Sequence, residues 1–252
     1  MRYSRHLRDL AWLVQKPIAH RGLHDRARGV EENSASAFAA AVDHGYAIEC
    51  DLQLTGDGEA VVFHDDTLDR VMDGTGRVDG CSAADLKKLC FRMGKDRIQT
   101  LGDLLDQVAG RATLVIELKS HWNGDTRLAT RAVEVLAGYK GPFALMSFDP
   151  DVVGTLADVA PAMVRGITAD RTIDAEYRLL PLSRRVAMRT FQHLPKTKAH
   201  FVSFNYAELP FEPVSEIRAA GHPIISWTIK SAEAAERARR WSDQITFEGF
   251  MA

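Results

Sequence analysis

The sequence predicts an α/β fold, a TIM-type (β/α)8 barrel. It forms a single domain over residues 1–252, with a small insertion at 66–100 after a hairpin on the second strand. Three observations carry this expectation. After Gly110, short apolar runs alternate with helical stretches, the pattern of parallel strands joined by helices. A chain of 252 residues suits one such barrel. About nine strands can be counted, one belonging to a hairpin, and no glycine-rich phosphate loop follows the first. His20-Arg21-Gly22 is unlike G-x-G-x-x-G, which counts against an open, doubly wound sheet.

Composition narrows the partners. Hydrophobic residues make up 46% and charged residues 26%, enough for a large core without staples. A net charge of -2 argues against binding nucleic acid by phosphate neutralisation. The three cysteines, Cys50, Cys81 and Cys90, have neither metal-ligand nor redox spacing, so reduced thiols in a cytoplasmic protein are expected. The longest apolar run near the start, residues 10–14, is too short for a signal segment. No later stretch approaches a membrane span, so no stable membrane insertion is expected. A homo-oligomer is left open.

In chain order, residues 2–15 have an amphipathic pattern (Leu7, Leu10, Trp12, Leu13, Val14) and predict a helical lid on the closed end of the domain. Residues 17–22 read as a short strand ending in polar groups. Asn33 or Ser34 caps a helix to about Asp43, stopped by Gly45. Residues 46–65 read as two strands joined by Thr55-Gly56-Asp57-Gly58, a connection too short for anything but an antiparallel pair. Pairing Leu54 with Glu59 would set His64 opposite Glu49. Ser82 opens a short helix to about Leu89, and Thr100 opens another over 101–108. Strands then follow at 113–119, 143–148, 163–168, 200–204, 223–229 and 244–247. Helices fall at 125–139, at 149–159, within the basic segment 171–198, before Gly221, and at 231–241.

In a barrel, chemistry gathers at the C-terminal ends of the strands. His20 and Arg21 end the first strand. Glu49 and Asp51, two apart, share one face of the second, and His64-Asp65 follow its hairpin partner. Glu117 and Lys119 again share a face. Ser147, Arg165, Ser203, Asn205, Trp227 and Glu248 stand at later strand ends. Taken singly, each has an ordinary structural explanation, such as a helix cap, a core histidine or a surface ion pair. The convergence carries the expectation. Cys50 faces away from the acids and reads as a small buried hydrophobe. The pattern assigns no role to His6, His24, His44, His121, His193, His200 or His222.

Carboxylates about 6–7 Å apart on one strand repel unless a cation or proton relieves them. Three carboxylates without a cysteine cluster suit a hard cation, Mg²⁺ or Ca²⁺. Nearby Arg and Lys suit a phosphate oxyanion, and two histidines suit general acid and base. The residues therefore point to metal-assisted phosphoester hydrolysis. Enolate chemistry on carboxylate-bound Mg²⁺ is the alternative, against which stands the short E-x-D pair on one strand.

With these residues assembled, the sequence resembles the glycerophosphodiester phosphodiesterase family. The resemblance rests on His20-Arg21-Gly22, Glu32-Asn33, the run from Glu49 to Thr55 with Asp57-Gly58, Val62-Phe63-His64-Asp65, Thr67-Leu68-Asp69-Arg70, Gly74-Thr75-Gly76 and Thr100-Leu101. It continues through Ile116-Glu117-Leu118-Lys119, Ser147-Phe148-Asp149 and Gly221-His222-Pro223 with Trp227-Thr228. It implies a TIM barrel and one divalent cation, Mg²⁺ or Ca²⁺, on Glu49, Asp51 and Glu117. His20 and His64 would be the acid/base pair, Arg21 and Lys119 would bind phosphate, and Trp227 would line the alcohol pocket. The implied reaction is attack by the glycerol 2-hydroxyl on a small-molecule phosphodiester, then opening of a cyclic phosphate to sn-glycerol 3-phosphate. At the C-terminus the chain departs from the family's Ile-Thr-Asp-x-Pro-like ending with Ile245-Thr246-Phe247-Glu248. Glu248 is expected as a substituted substrate contact. The aromatic residues Trp122, Trp227, Phe247 and Phe250 leave a lysophospholipase D-like or sugar-phosphodiester hydrolase open. A non-catalytic phosphodiester-binding protein is the alternative from another class.

Overall fold

The strands close on themselves. In this computed structural model, which describes residues 9–173 and 175–252, β1 (Ile18–Ala19) pairs with both β2 (Ala47–Leu54) and β9 (Gln244–Phe247). The ring continues through β4 (Leu114–Leu118), β5 (Phe143–Ser147), β6 (Arg165–Ala169), β7 (Phe201–Asn205) and β8 (Ile224–Ile229), all parallel. Because β1 is only two residues long, the end of β2 is left open on that side. There the antiparallel β3 (Ala60–Val62) pairs with it. The eight-stranded barrel with one hairpin strand is the expected architecture.

Helices separate the strands, and their starts follow from local capping. Ser34, rather than Asn33, caps α2 (Ala35–Asp43) by accepting from Ala37 N–H. A short helix, α3 (Ala83–Leu86), starts at Ser82 and ends three residues earlier than expected. Thr100 and Asp103 form a reciprocal capping box on α4 (Leu101–Val108). The remaining helices are α5 (Arg127–Leu136), α6 (Pro150–Val159), α7 (Leu182–Arg189), α8 (Leu194–Thr197), α9 (Glu212–Ala219) and α10 (Ala232–Ala238). The N-terminal lid is represented by α1 (Ala11–Val14), and its expected first residues, 2–8, lie outside the described residues. Leu10 and Leu13 plug the closed end, packing with Ile18, Ala47, Val115, Ala144, Phe201 and Ile225.

Those packing partners define the strand parity. Residues one step outward along the chain, such as Ala19, Ile48, Cys50, Ile116 and Phe247, form the larger core between strands and helices. Residues two steps on from the plug layer stay inside the barrel and turn polar: His20 above Ile18, Glu49 above Ala47, Glu117 above Val115. An apolar floor thus carries a polar upper layer, which is what a period-2 strand requires once its first inward residue is fixed. The insertion packs its own small core, Leu68, Val71, Met72, Val78, Leu86 and Phe91, against Val61 and Phe63 beside the hairpin.

Two expectations are corrected by register. The hairpin pairs Leu54 with Ala60, not Glu59. Thr55 N–H donates to the Glu59 carbonyl at 2.9 Å, and the Thr55 hydroxyl bonds Asp57, so the loop closes one residue further out. Arg165 opens β6 instead of ending it. Its guanidinium lies at the closed end, donating to the carbonyls of Thr197, Pro161 and Met163.

Candidate active site

Glu49, Asp51 and Glu117 converge above the floor, each at most 6% exposed, with ligand-capable oxygens within 4.8 Å of one another. Asp51 and Glu117 are register partners across β2 and β4. Lys119, two residues past Glu117 on the same side, puts Nζ 2.8 Å from Asp51 Oδ1 and 2.5 Å from Glu117 Oε1. Arg21 donates its backbone N–H to Glu49 Oε2 at 2.9 Å and sets Nε 3.4 Å from Asp51 Oδ2. Asn33 Nδ2 donates to Asp51 Oδ2 at 2.9 Å, so this residue serves the site and not the helix cap.

Three carboxylates face two cationic side chains, Arg21 and Lys119, and Arg21 is shared with Glu32. Burial, then Asp51 and Glu117, push the Glu49 carboxyl well up. Burial also raises Glu117, against the pull of Lys119. For Asp51 burial is outweighed by Lys119, His64 and Arg21, which hold it far below the carboxylate range. An all-oxygen donor set of crowded, mutually repelling carboxyls fits a hard divalent cation.

The two histidines stand on either side, each with a carboxylate behind it. His20 Nδ1 lies 2.5 Å from Glu248 Oε2, while its Nε2 is 4.0 Å from Glu49. His64 Nδ1 lies 2.7 Å from Asp65 Oδ1. Burial lowers both imidazoles below their ordinary value, partly offset by Glu248 for His20 and by Asp51 for His64. His64 reaches the cavity despite the shifted register, because β3 stops at Val62 and His64 is not held in the ladder. Arg70 binds both Asp65 and Glu32, and Glu32 binds Arg21 at 2.6 Å. An ionic chain therefore links the Arg21 guanidinium to the carboxylate behind His64.

Three of the seven non-glycine residues with positive φ among the described residues lie at the site. Arg21, Asn33 and Trp122 all have positive φ, at 54°, 53° and 58°. Gly22 follows at φ 79°, where a Cβ would meet Ala37 Cβ at 2.8 Å, so glycine is required for α2 to approach.

The cavity has a volume of about 590 Å³, and its far wall is aromatic. Trp227 meets Phe148 edge-on at 5.5 Å, and Trp122 meets Tyr177 at 6.0 Å. Trp227 Nε1 and Thr168 Oγ1 are buried without a hydrogen-bond partner. Trp122 and Trp227 are where the sequence places them. Phe247 and Phe250 are not. Thr246 takes the inward position on β9, so Phe247 turns outward against Tyr46 and Phe250. Glu248 then returns to the inward side but does not line the cavity. It stands behind His20, a different place from the cavity wall expected for a direct substrate contact. Sequence reasoning missed His24, whose Nε2 lies 3.8 Å from Glu248. No periodic signal marks a loop residue of that kind. Glu248 had one, its shared parity with Thr246.

The sequence model of the Glycerophosphoryl diester phosphodiesterase family matches residues 20–244. A glycerophosphodiester phosphodiesterase of Caldanaerobacter subterraneus subsp. tengcongensis is 40% identical over 111 residues, 41% of this chain and 44% of that protein. The match thus spans less than half of that relative. The Bacillus subtilis protein YhdW is 27% identical over 87% of this chain and 88% of its own. Among solved structures, an Oleispira antarctica phosphodiesterase in complex with the product sn-glycerol-3-phosphate superposes with a TM-score of 0.78, at 24% identity over 94% of each chain. A Thermotoga maritima glycerophosphodiester phosphodiesterase gives 0.70, at 23% identity over 91% of this chain and 92% of that one. At these identities the structural likeness is one of fold.

Proposed function

The chain belongs to the glycerophosphoryl diester phosphodiesterase family, and on that premise we propose that it is a divalent-cation-dependent diesterase. It splits a glycerophosphodiester into sn-glycerol 3-phosphate and an alcohol. The observation that carries this reading is the cluster of Glu49, Asp51 and Glu117 flanked by His20 and His64 in one cavity.

Glu49, Asp51 and Glu117 would hold one hard cation, Mg²⁺ or Ca²⁺, which when bound supplies positive charge to the phosphate oxygens. The chain's own residues do the rest. Arg21 Nε is buried with only the loose 3.4 Å contact to Asp51 and no hydrogen bond, and that donor suits a phosphate oxygen. Lys119 neutralises Asp51 and Glu117 until substrate and cation share that task. His20 and His64 exchange protons with the oxygen that bonds to phosphorus and the oxygen that leaves. In the first step the glycerol 2-hydroxyl loses its proton to one imidazole as its oxygen bonds to phosphorus. The bond to the head-group oxygen breaks, and that oxygen takes a proton from the other. Water then opens the cyclic phosphate with the roles reversed. The aromatic wall seats the departing alcohol. With no cysteine of the three disulfide-bonded, a reducing compartment such as the cytoplasm suits the protein.

A second reading, an acyl-bearing glycerophosphodiester, is favoured by one observation. Ile173, Leu179 and Leu182, exposed at 59%, 96% and 71%, flank the wall residue Tyr177 on the segment after β6. A panel of glycerophosphocholine, glycerophosphoethanolamine and lysophosphatidylcholine, with and without EDTA, tests both. Deacylated substrates turned over only without EDTA support the first reading, and preference for the acylated one supports the second.

A further inference from the structure

Glu248 follows β9 on the inward side, two residues beyond Thr246, yet it does not reach the cavity. Its carboxylate is clamped from behind. Lys230 Nζ holds Oε1 at 2.7 Å, which leaves Oε2 for His20 Nδ1 at 2.5 Å, with His24 Nε2 at 3.8 Å. The backbone N–H of Glu248 donates to Ile229 at 2.9 Å, fixing where the side chain starts. The Lys230 ammonium at 2.7 Å keeps this carboxyl ionised. An ionised carboxylate only accepts, so the hydrogen between the two groups is on Nδ1.

We propose that Glu248 is a positioning residue. It locks His20 in the Nδ1–H tautomer and aims the bare Nε2 at the phosphodiester, so that Nε2 is the atom through which His20 exchanges protons. The inference rests on the reading of the site as a diesterase and deepens it. It also accounts for the altered C-terminal ending. With Phe247 turned outward into the helix layer, the acidic group that serves the barrel interior comes from the next residue. The three donor atoms of His20, His24 and Glu248 also lie within 4.8 Å, a spacing that a metal could use. Lys230 already supplies the cation for that carboxylate, which favours positioning.

The test uses the full chain with ¹⁵N-labelled histidine, the His20 signals being assigned by their loss in His20→Asn. In the wild type, Nδ1 is expected as the protonated nitrogen and Nε2 as the bare one. Glu248→Gln is expected to mix the tautomers and to lower kcat on glycerophosphocholine about a hundredfold while KM and Mn²⁺ affinity hold, and Glu248→Asp to recover part of the loss. A bare Nδ1 in an active wild-type protein would overturn the inference. So would a rise in KM at constant kcat, which marks a substrate contact, or Zn²⁺ binding lost in His24→Ala, which marks a metal site. A wild-type protein that carries the Nδ1–H tautomer but cleaves no diester would overturn the reaction instead.

Discussion

Asp51 and Glu117 sit directly opposite each other across the parallel ladder of β2 and β4, and the Lys119 ammonium bridges them. Neighbouring strands lie about 4.8 Å apart, so register alone brings carboxylates from two distant segments of chain side by side. Glu49, on the same face of β2, completes the set. The polar layer of this barrel is a consequence of strand parity, and its chemistry follows from which inward residues are acidic.

A cation should stabilise the protein as well as activate it. Mg²⁺ is expected to raise the melting temperature of the EDTA-treated wild type and to do much less for Asp51→Asn, which keeps the shape but removes a ligand charge. Thermal unfolding with and without Mg²⁺ checks this. Binding linked to folding gains about 2.7 kcal/mol at a hundredfold excess over Kd.

Lys119→Met should expose the repulsion that the ammonium masks. Removing one member of a buried ionic cluster costs about 3–5 kcal/mol. In denaturant titrations the cation-free variant should show a loss of that order, largely restored by Mg²⁺. A variant as stable as wild type in EDTA would mean that the carboxylates are not charged there.

Glu32 sets a pH dependence. Burial raises its carboxyl, but hydrogen bonds from Arg70 and then the charge of Arg21 outweigh it, lowering the pKa from 4.5 to about 2. A depressed folded-state value means stability that is complete above about pH 4.5 and lost as pH falls towards 2. Glu32→Gln should lose about 3 kcal/mol at neutral pH and show a flatter profile across that window, read by unfolding at successive pH values.

Trp227→Ala should act on the alcohol side alone. Loss of one wall of the head-group pocket is expected to raise KM about tenfold while kcat stays within a factor of about three, because the indole Nε1 makes no hydrogen bond to the carboxylates or the histidines. Steady-state kinetics on glycerophosphocholine checks the split.

Much of the fold is legible in the sequence. Glu49 and Asp51 share a face in any strand register, and the alternation of strand and helix leaves few topologies but a barrel. What escaped the sequence depended on phase or on loops. Arg165 looks like a strand end because an apolar run with a charge beside it does not say which end faces the mouth. The hairpin register turned on Thr55 bonding Asp57, a side-chain contact that shifts closure by one residue. His24 comes from an irregular segment with no period. The sequence places Glu248 at the mouth but does not show its partner, because the Lys230 clamp that turns it towards His20 is tertiary.

The most direct measurement is a ³¹P NMR time course of the purified protein with glycerophosphocholine and Mg²⁺. The account predicts that the diester resonance is replaced by that of sn-glycerol 3-phosphate with an equal amount of free choline, and that EDTA stops the conversion. Phosphocholine with free glycerol, or an unchanged diester with Mg²⁺ present, would contradict it.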